Sequence, residues 1–157
     1  MKTALISIVI LFFYALPSKA WLLAKDEAHQ QWLKQRFSVQ HQQLIPVVAV
    51  ADIFFSCNQV RQTDKTNYPL SFLIQQMDKN TLAEKLNRCL GEDTMQSDVA
   101  INFGLVACFQ QQLSHLPNIE QQQKMKLVRQ AVSSLSYDER KKSFTQCVTE
   151  QSIHYLQ

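Results

Sequence analysis

The four cysteines are the residues most able to do chemistry in this chain. Cys57, Cys89, Cys108 and Cys147 are separated by 31, 18 and 38 intervening residues. Metal sites built from cysteine need close pairs such as C-x₂-C, so these gaps argue against a metal centre. A catalytic thiolate needs an accessible, electropositive setting with a base beside it, whereas Cys147 falls on the apolar side of its predicted helix. The even number favours two disulfides in an exported chain, with buried free thiols as the alternative.

Helix geometry ranks the three possible pairings of these cysteines. Cys108 and Cys147 each lie about ten residues into a predicted helix, with one helix between them, so an up-down-up array places both sulfurs at the same height. Cys57 and Cys89 both lie near the C-terminal ends of their helices. A Cys89–Cys108 bridge sets a helix end against a point about 15 Å along its neighbour, beyond the roughly 7 Å that a disulfide permits. We therefore predict Cys57–Cys89 and Cys108–Cys147. The nested pairing remains open if the intervening loop extends well past Ser97.

The other ionisable residues form no recognisable catalytic motif. The sequence lacks the nucleophile elbow G-x-S-x-G, the zinc motif H-E-x-x-H, a P-loop and a dinucleotide fingerprint. The histidines are scattered and have no metal-ligand spacing: His29, His41, His115 and His154. We therefore expect no catalytic residues, no cofactor and no metal. A lysozyme-like pair of carboxylates is the remaining enzyme hypothesis, and no spacing singles out such a pair.

Acidic residues offer three further candidates. Asp138 and Glu139 fall in the first turn of a predicted helix, where the helix dipole accounts for them. Glu92 and Asp93 lie in a polar loop and are our candidate partner-binding residues, with a plain solvated loop as the alternative. Asp52 stands among apolar residues before "IFF". It is either a buried carboxyl with a partner or a residue at the rim of the core.

The N-terminus, "MKTALISIVILFFYALPSKA", has the three parts of an export signal. Lys2 is the positive start, residues 4–16 are the apolar run, and Pro17 precedes the cleavage region 18–20. The apolar run is shorter than the roughly 20 residues that span a bilayer as a helix. We predict a cleaved signal peptide over residues 1–20 and a secreted or periplasmic domain over 21–157, with an uncleaved anchor as the alternative.

Charge and composition narrow the partners and the fold class. The chain has 16 Lys and Arg against 13 Asp and Glu, and loss of Lys2 and Lys19 leaves a formal charge of about +1. With no basic surplus, we expect neither nucleic acid nor an anionic membrane as partner. Because the sequence shows no second apolar run of 18 residues, we expect no stable membrane insertion after signal removal. Only two glycines occur. Because hairpin turns need residues with positive φ, this scarcity favours an all-α fold.

Apolar periodicity predicts one compact domain of about five to six helices stapled by two disulfides. Pro46 fits best in a first helical turn, so we start the central helix near Pro46 and end it near Val60. A buried strand over 44–50 is the rival assignment. The other predicted segments are a polar helix over 26–36, a short piece after Pro69, and four helices at about 81–90, 98–116, 119–135 and 137–156.

Local signals mark where these helices begin and end. We predict N-terminal caps at four places: Thr81 with Glu84, Ser97, Asn118 with Gln121, and Ser136 with Glu139. Gly91 is the expected stop of its helix. Gly104, inside a helix, indicates either close approach of a neighbouring helix or a tolerated glycine.

The leader, the all-helical pattern and the cysteine-bearing segments "INFGLVACFQQQL" and "ERKKSFTQCVTEQ" together resemble periplasmic immunity proteins. Those proteins neutralise peptidoglycan-cleaving effectors of type VI secretion. The resemblance implies a non-catalytic inhibitor that blocks the cleft of a cognate amidase or muramidase with a loop or helix edge. It also implies a homodimer as a common assembly.

The alternative function is a secreted helical carrier of small apolar ligands, of the insect odorant-binding type. Length, helicity and four cysteines suit that class. In its reduced cysteine pattern the long gap separates the second and third cysteines, whereas the gap between Cys89 and Cys108 is the shortest in this chain.

Overall fold

The computed structural model describes residues 18–156, with side chains from Glu27 onward. The described residues form six helices and no strand: α1 Ser18–Arg61, α2 Leu70–Gln75, α3 Lys79–Leu90, α4 Asp98–Gln112, α5 Asn118–Ser134 and α6 Tyr137–His154. The all-α fold class is therefore confirmed. The predicted leader, residues 1–20, lies almost entirely outside the described residues, so its cleavage stays a prediction.

The chain divides after Ser38 into two compact units. In the first unit the helical segment after Glu27 is polar and fully exposed, and Trp32 is its main aromatic residue. The Trp32 ring stacks on His29 with centroids 6.0 Å apart, and the Arg36 guanidinium lies 5.0 Å from the Trp32 ring centroid. These contacts join residues three and four positions apart, as helical geometry requires.

Pro46 does not begin a helix, so the predicted start of the central helix is wrong, and so is the rival strand over 44–50. Pro46 lies inside α1, which runs unbroken from Ser18 to Arg61. A proline at this place deprives the carbonyl of Gln42 of its usual N–H partner. Both Pro46 and Gln42 are exposed. Water can reach this face of the helix and hydrate the freed carbonyl.

The second unit, from Val39 onward, is organised around the C-terminal half of α1. Val48, Ala51, Phe54 and Cys57 are fully buried there, as expected for a central helix. By length and composition alone, one stretch of α1 between Glu27 and Arg61 could also cross a membrane, and 44% of that stretch is buried in the fold. A core helix passes the same test. The core is completed by residues of the other helices, among them Leu73, Leu82, Leu86, Ile101, Leu105, Val132, Phe144 and Val148.

Two of the four predicted caps are confirmed. The Ser97 hydroxyl accepts from the N–H of Ala100 at 3.1 Å, and Ser136 with Glu139 forms a complete capping box. The cap predicted at Thr81 is wrong, because α3 begins a turn earlier.

There the carboxylate of Asp78 accepts from the N–H groups of Asn80 and Thr81 at 3.1 and 3.0 Å. A carboxylate at this place also interacts favourably with the helix dipole. The cap predicted at Asn118 is wrong as well. Asn118 is the first residue of α5, and the N-cap residue is Pro117, whose side chain makes no capping hydrogen bond.

Gly104 marks the closest approach of α4 to α6. A Cβ atom at this position would lie closer than 3.0 Å to three atoms of the Phe144 ring. Phe144 is 8% exposed and belongs to the core. Of the two interpretations of this glycine, close helix packing is therefore the correct one.

Both predicted disulfides are present. Cys57 pairs with Cys89 at a Cα separation of 6.2 Å, and Cys108 pairs with Cys147 at 6.3 Å. Cys108 and Cys147 each lie ten residues after the first residue of their helices, Asp98 and Tyr137. Each bridge links helices that are separated in sequence by one other helix, α2 or α5.

Candidate functional site

The connection between α3 and α4, residues 91–97, carries the predicted partner-binding pair. Gly91 ends α3 with φ of +64°, a left-handed conformation that residues with a side chain rarely adopt. Its N–H donates to the carbonyl of Asn87 at 3.0 Å, and the N–H of Asp93 donates to the carbonyl of Leu90 at 3.3 Å. The chain is thus turned away from the helix just before it presents Glu92. We call residues 91–97 the 91–97 loop.

Arg61, at the end of α1, fastens the first half of the 91–97 loop. Its Nη1 donates to the carbonyls of Cys89 and Leu90, both at 2.8 Å, and its Nη2 lies 3.0 Å from the carboxylate of Asp93. The final carbonyls of a helix have no partner within the helix, so the guanidinium completes the C-terminus of α3. The guanidinium carbon of Arg61, Cζ, also lies 5.5 Å from the ring centroid of Phe103.

Helix α6 fastens the second half of the 91–97 loop. The hydroxyl of Tyr137 donates to the carbonyl of Gln96 at 2.7 Å. The guanidinium of Arg140 pairs with Asp98 and also donates to the carbonyl of Leu135 at 2.6 Å. Because Ser97 caps α4 at the same point, both ends of the loop are held by hydrogen bonds to other helices.

The two predicted site residues have different roles. Asp93 is one-third exposed and is held against Arg61, so its carboxylate supports the loop rather than projecting from it. Glu92 is exposed and makes no hydrogen bond or ion pair within the described part of the chain. Of these two residues, only Glu92 therefore exposes an unpaired carboxylate to solvent.

Sequence reasoning missed Met95 as a member of this surface. Met95 is 42% exposed in the 91–97 loop, and Val99 in the first turn of α4 is 37% exposed. A methionine within the otherwise polar segment "GEDTMQS" was the available signal, because an apolar side chain in a loop without a core to enter must face outward. The loop surface thus combines one carboxylate with an adaptable thioether side chain.

Two clefts lie elsewhere in the second unit. One, of about 780 Å³, lies between α1 and the connection to α2 and is lined by Phe55, Asn58 and Tyr68 among others. The other, of about 600 Å³, is lined by polar side chains of α2, α4, α6 and the turn after α4, including His115, Glu150 and His154. Polar groups occupy much of both walls, which differs from the mostly apolar lining of pockets for apolar ligands.

The fold brings His115 and His154 to the same cleft although they are far apart in sequence. His115 Nδ1 bonds the carbonyl of Gln112, the last residue of α4, at 2.9 Å. Among the residues whose side chains the structure describes, no three His, Cys, Asp or Glu side chains are grouped so that they could hold a metal ion.

Asp52 is a buried residue rather than a rim residue. Its side chain has no exposed surface, and Nε2 of Gln151 donates to its Oδ1 at 3.2 Å. Burial raises the pKa of the Asp52 carboxyl well above its ordinary value, and the Gln151 hydrogen bond only partly offsets this. The buried, partnered interpretation of Asp52 is therefore confirmed.

Comparison of this chain with protein-family models, with curated proteins and with solved structures finds no match.

Proposed function

We propose that this protein is an exported, non-catalytic binding protein that inhibits a peptidoglycan-cleaving enzyme by inserting the 91–97 loop into the enzyme's cleft. The proposal includes cleavage of the leader and residence in the periplasm or outside the cell. Two disulfides support this location, because disulfides persist in oxidising compartments. A cysteine amidase or a muramidase is the proposed partner.

One observation carries the proposal: the 91–97 loop is fastened at both ends while Glu92 and Met95 remain exposed. Binding costs free energy when a loop has to become ordered at the interface. Here Arg61 and Tyr137 already hold the backbone before any partner arrives. The Cys57–Cys89 bridge lies three residues before Glu92 and limits movement of the helix end that supports it.

The chemistry of the loop suits a cleft that carries donors. A carboxylate forms its strongest hydrogen bonds with cationic side chains or with several N–H groups. Met95 can fill an irregular apolar gap beside such donors, because its thioether side chain is flexible. Glu92 and Met95 would then act as the central contacts, with the surrounding polar loop as the rim.

The test is calorimetric titration of the oxidised protein into purified amidases and muramidases encoded beside its gene. We expect a complex, and we expect Glu92→Arg to weaken it by about 30-fold or more, the loss typical of a central interface residue. Met95→Ala should also weaken it. Glu120→Arg is the matched control, because Glu120 is an exposed glutamate in α5 and forms only an exposed pair with Lys124.

Absence of any complex at micromolar concentration would overturn the proposal. Equal binding by the Glu92→Arg and Glu120→Arg variants would overturn the role of the 91–97 loop. The same preparations, examined by sedimentation without partner, test the homodimer that the resemblance implies.

A further inference from the structure

Helices α1 and α6 are joined by one buried polar pair, Asp52 and Gln151. Asp52 has no exposed surface and Gln151 is 3% exposed, although the two residues are 99 positions apart in sequence. Around them the core is apolar, with Ile53 and Phe54 beside Asp52 and Val148 one turn before Gln151. A polar pair in such surroundings has to satisfy its own hydrogen-bonding groups.

One bond of the pair is made and two atoms remain without a partner. Nε2 of Gln151 donates to Oδ1 of Asp52, whereas Oδ2 of Asp52 and Oε1 of Gln151 are buried with no partner. When the carboxyl is ionised, Oδ2 and Oε1 are both hydrogen-bond acceptors, so they cannot form a hydrogen bond with each other. A proton on Oδ2 changes this, since the acid O–H can then donate to Oε1 while the amide N–H donates to Oδ1.

We propose that Asp52 and Gln151 form a neutral acid–amide clamp with two hydrogen bonds, which holds the last turn of α6 on α1 and loosens when the carboxyl loses its proton. The proton remains on Oδ2 in the closed form and passes to solvent in the loosened form. The clamp is independent of the function proposed above.

The surroundings of the pair favour the protonated form. Burial raises the pKa of Asp52, and no cation is among the causes that act on it. Just after α6, the hydroxyl of Tyr155 is buried and makes no hydrogen bond of normal geometry. Burial raises the pKa of Tyr155, the nearby Gln151 side chain partly offsets this, and the charge of Asp52 raises the pKa further.

Glu150 and His154 of α6, His115 in the turn after α4 and the neutral Ser71 of α2 line the polar cleft that Gln151 and Tyr155 also line. On α1, Nε2 of His41 lies 2.9 Å from the carbonyl oxygen of Thr149, so this titratable group also faces α6. One wall of the cleft is therefore formed by the turn that the clamp holds. Loosening of the clamp is expected to open this cleft.

The direction of the pH dependence follows from the raised pKa. The folded protein holds the Asp52 proton over a pH range in which the unfolded chain has lost it. The clamp therefore contributes fully below the ordinary pKa of aspartate, and its contribution is lost as the pH rises through the folded-state pKa. The closed form of the clamp therefore predominates at pH values below the folded-state pKa of Asp52.

The test compares unfolding of the oxidised full chain between pH 4 and pH 9 with that of Asp52→Asn. An asparagine keeps both hydrogen bonds at every pH, because its amide can donate to Oε1 and accept from Nε2. We expect the unfolding constant of the wild type, relative to this variant, to rise by up to about tenfold per pH unit across the titration. Parallel profiles would overturn the proposal.

Asp64→Asn is the matched control. Hydrogen bonds from Lys85 and from the N–H of Thr66 lower the pKa of Asp64. The stability lost in Asp64→Asn should therefore decrease as the pH falls, whereas the contribution of the Asp52 clamp should increase as the pH falls. The other charged groups near α6, His41 among them, are present in both proteins, so their effects cancel in the ratio of the wild-type and Asp52→Asn unfolding constants.

If Asp52→Asn does not fold, two measurements on the wild-type protein test the clamp instead. Carbon-13 NMR of the wild-type carboxyl groups should show Asp52 titrating well above the other aspartates. Protection of the amides of residues 151–156 against hydrogen exchange, measured relative to the intrinsic exchange rate at each pH, should fall over the same pH range. An Asp52 that titrates with the exposed aspartates, or protection that does not follow its titration, would overturn the clamp.

Discussion

At the scale of single residues, Asn58 shows how one side chain can organise a connection. Its amide lies 6% exposed below the turn that follows α1. Nδ2 donates to the carbonyls of Asp64 and Thr66, and Oδ1 accepts from the N–H of Asp64 and the hydroxyl of Thr63. The whole hydrogen-bonding capacity of the side chain is used. The chain can therefore turn with Gln62 at φ of +51°, which is unusual for a residue with a side chain.

We predict that Asn58→Ala lowers the free energy of unfolding by about 1–3 kcal/mol, because it leaves the N–H of Asp64 without its partner. The measurement is urea denaturation followed by circular dichroism. Gln59→Ala is the control, since Gln59 is exposed and its removal should change stability by less than about 0.5 kcal/mol. An equal effect of both changes would contradict this account.

At the scale of elements, α4 and α6 pack as closely as they do because α4 has no side chain at Gly104. The Phe144 ring occupies the space where a Cβ would stand. In an exposed helix, exchange of glycine for alanine stabilises by up to about 1 kcal/mol. Here the same exchange forces the ring or the helix to move, and the cost of overpacking exceeds the gain in helix propensity.

We expect Gly104→Ala to destabilise the protein by about 1–3 kcal/mol. Adding Phe144→Leu removes the ring and should make the alanine less costly, so the two changes should couple. Denaturant unfolding of the two single variants and the double variant measures this coupling. Additive effects would show that Phe144 is not what excludes a side chain at this position.

At the scale of the whole molecule, the two disulfides link helices that are not neighbours in sequence. Cys57–Cys89 closes a separation of 32 residues between α1 and α3, and Cys108–Cys147 closes 39 residues between α4 and α6. Each bridge lowers the entropy of the unfolded chain. The first also stands beside the 91–97 loop, and the second lies one turn from Gln151, so each supports one of the two proposed features.

Replacing either pair with serines should cost about 2–4 kcal/mol, with only about 0.2 kcal/mol between the two because the closed loops are similar in length. Urea unfolding of Cys57→Ser/Cys89→Ser and of Cys108→Ser/Cys147→Ser provides the comparison. A double variant as stable as the oxidised protein would contradict the prediction. A large difference between the variants would show that packing around the sulfurs outweighs chain entropy.

The positions of α3 to α6 and the Ser97 and Ser136 caps followed from the order of residues, because they depend on periodicity and spacing within a few turns. The disulfide pairings followed from the depth of each cysteine in its predicted helix. The cap at Asp78 and the passage of α1 through Pro46 were missed for a related reason. Asp78 and Thr81 both have side chains that can cap a helix, so the local sequence did not decide between them. Pro46 is tolerated inside α1 where the helix is exposed, and exposure is not a local property of the sequence.

Only the folded chain decided the roles of the acidic residues. Asp93 is held by Arg61, 32 positions away, and Asp52 by Gln151, 99 positions away. Whether a carboxylate is presented, paired or buried depends on what packing brings beside it. Glu92 and Asp93 are adjacent in sequence and equally polar, yet the guanidinium reaches only Asp93, and that single contact leaves Glu92 as the exposed charge of the 91–97 loop.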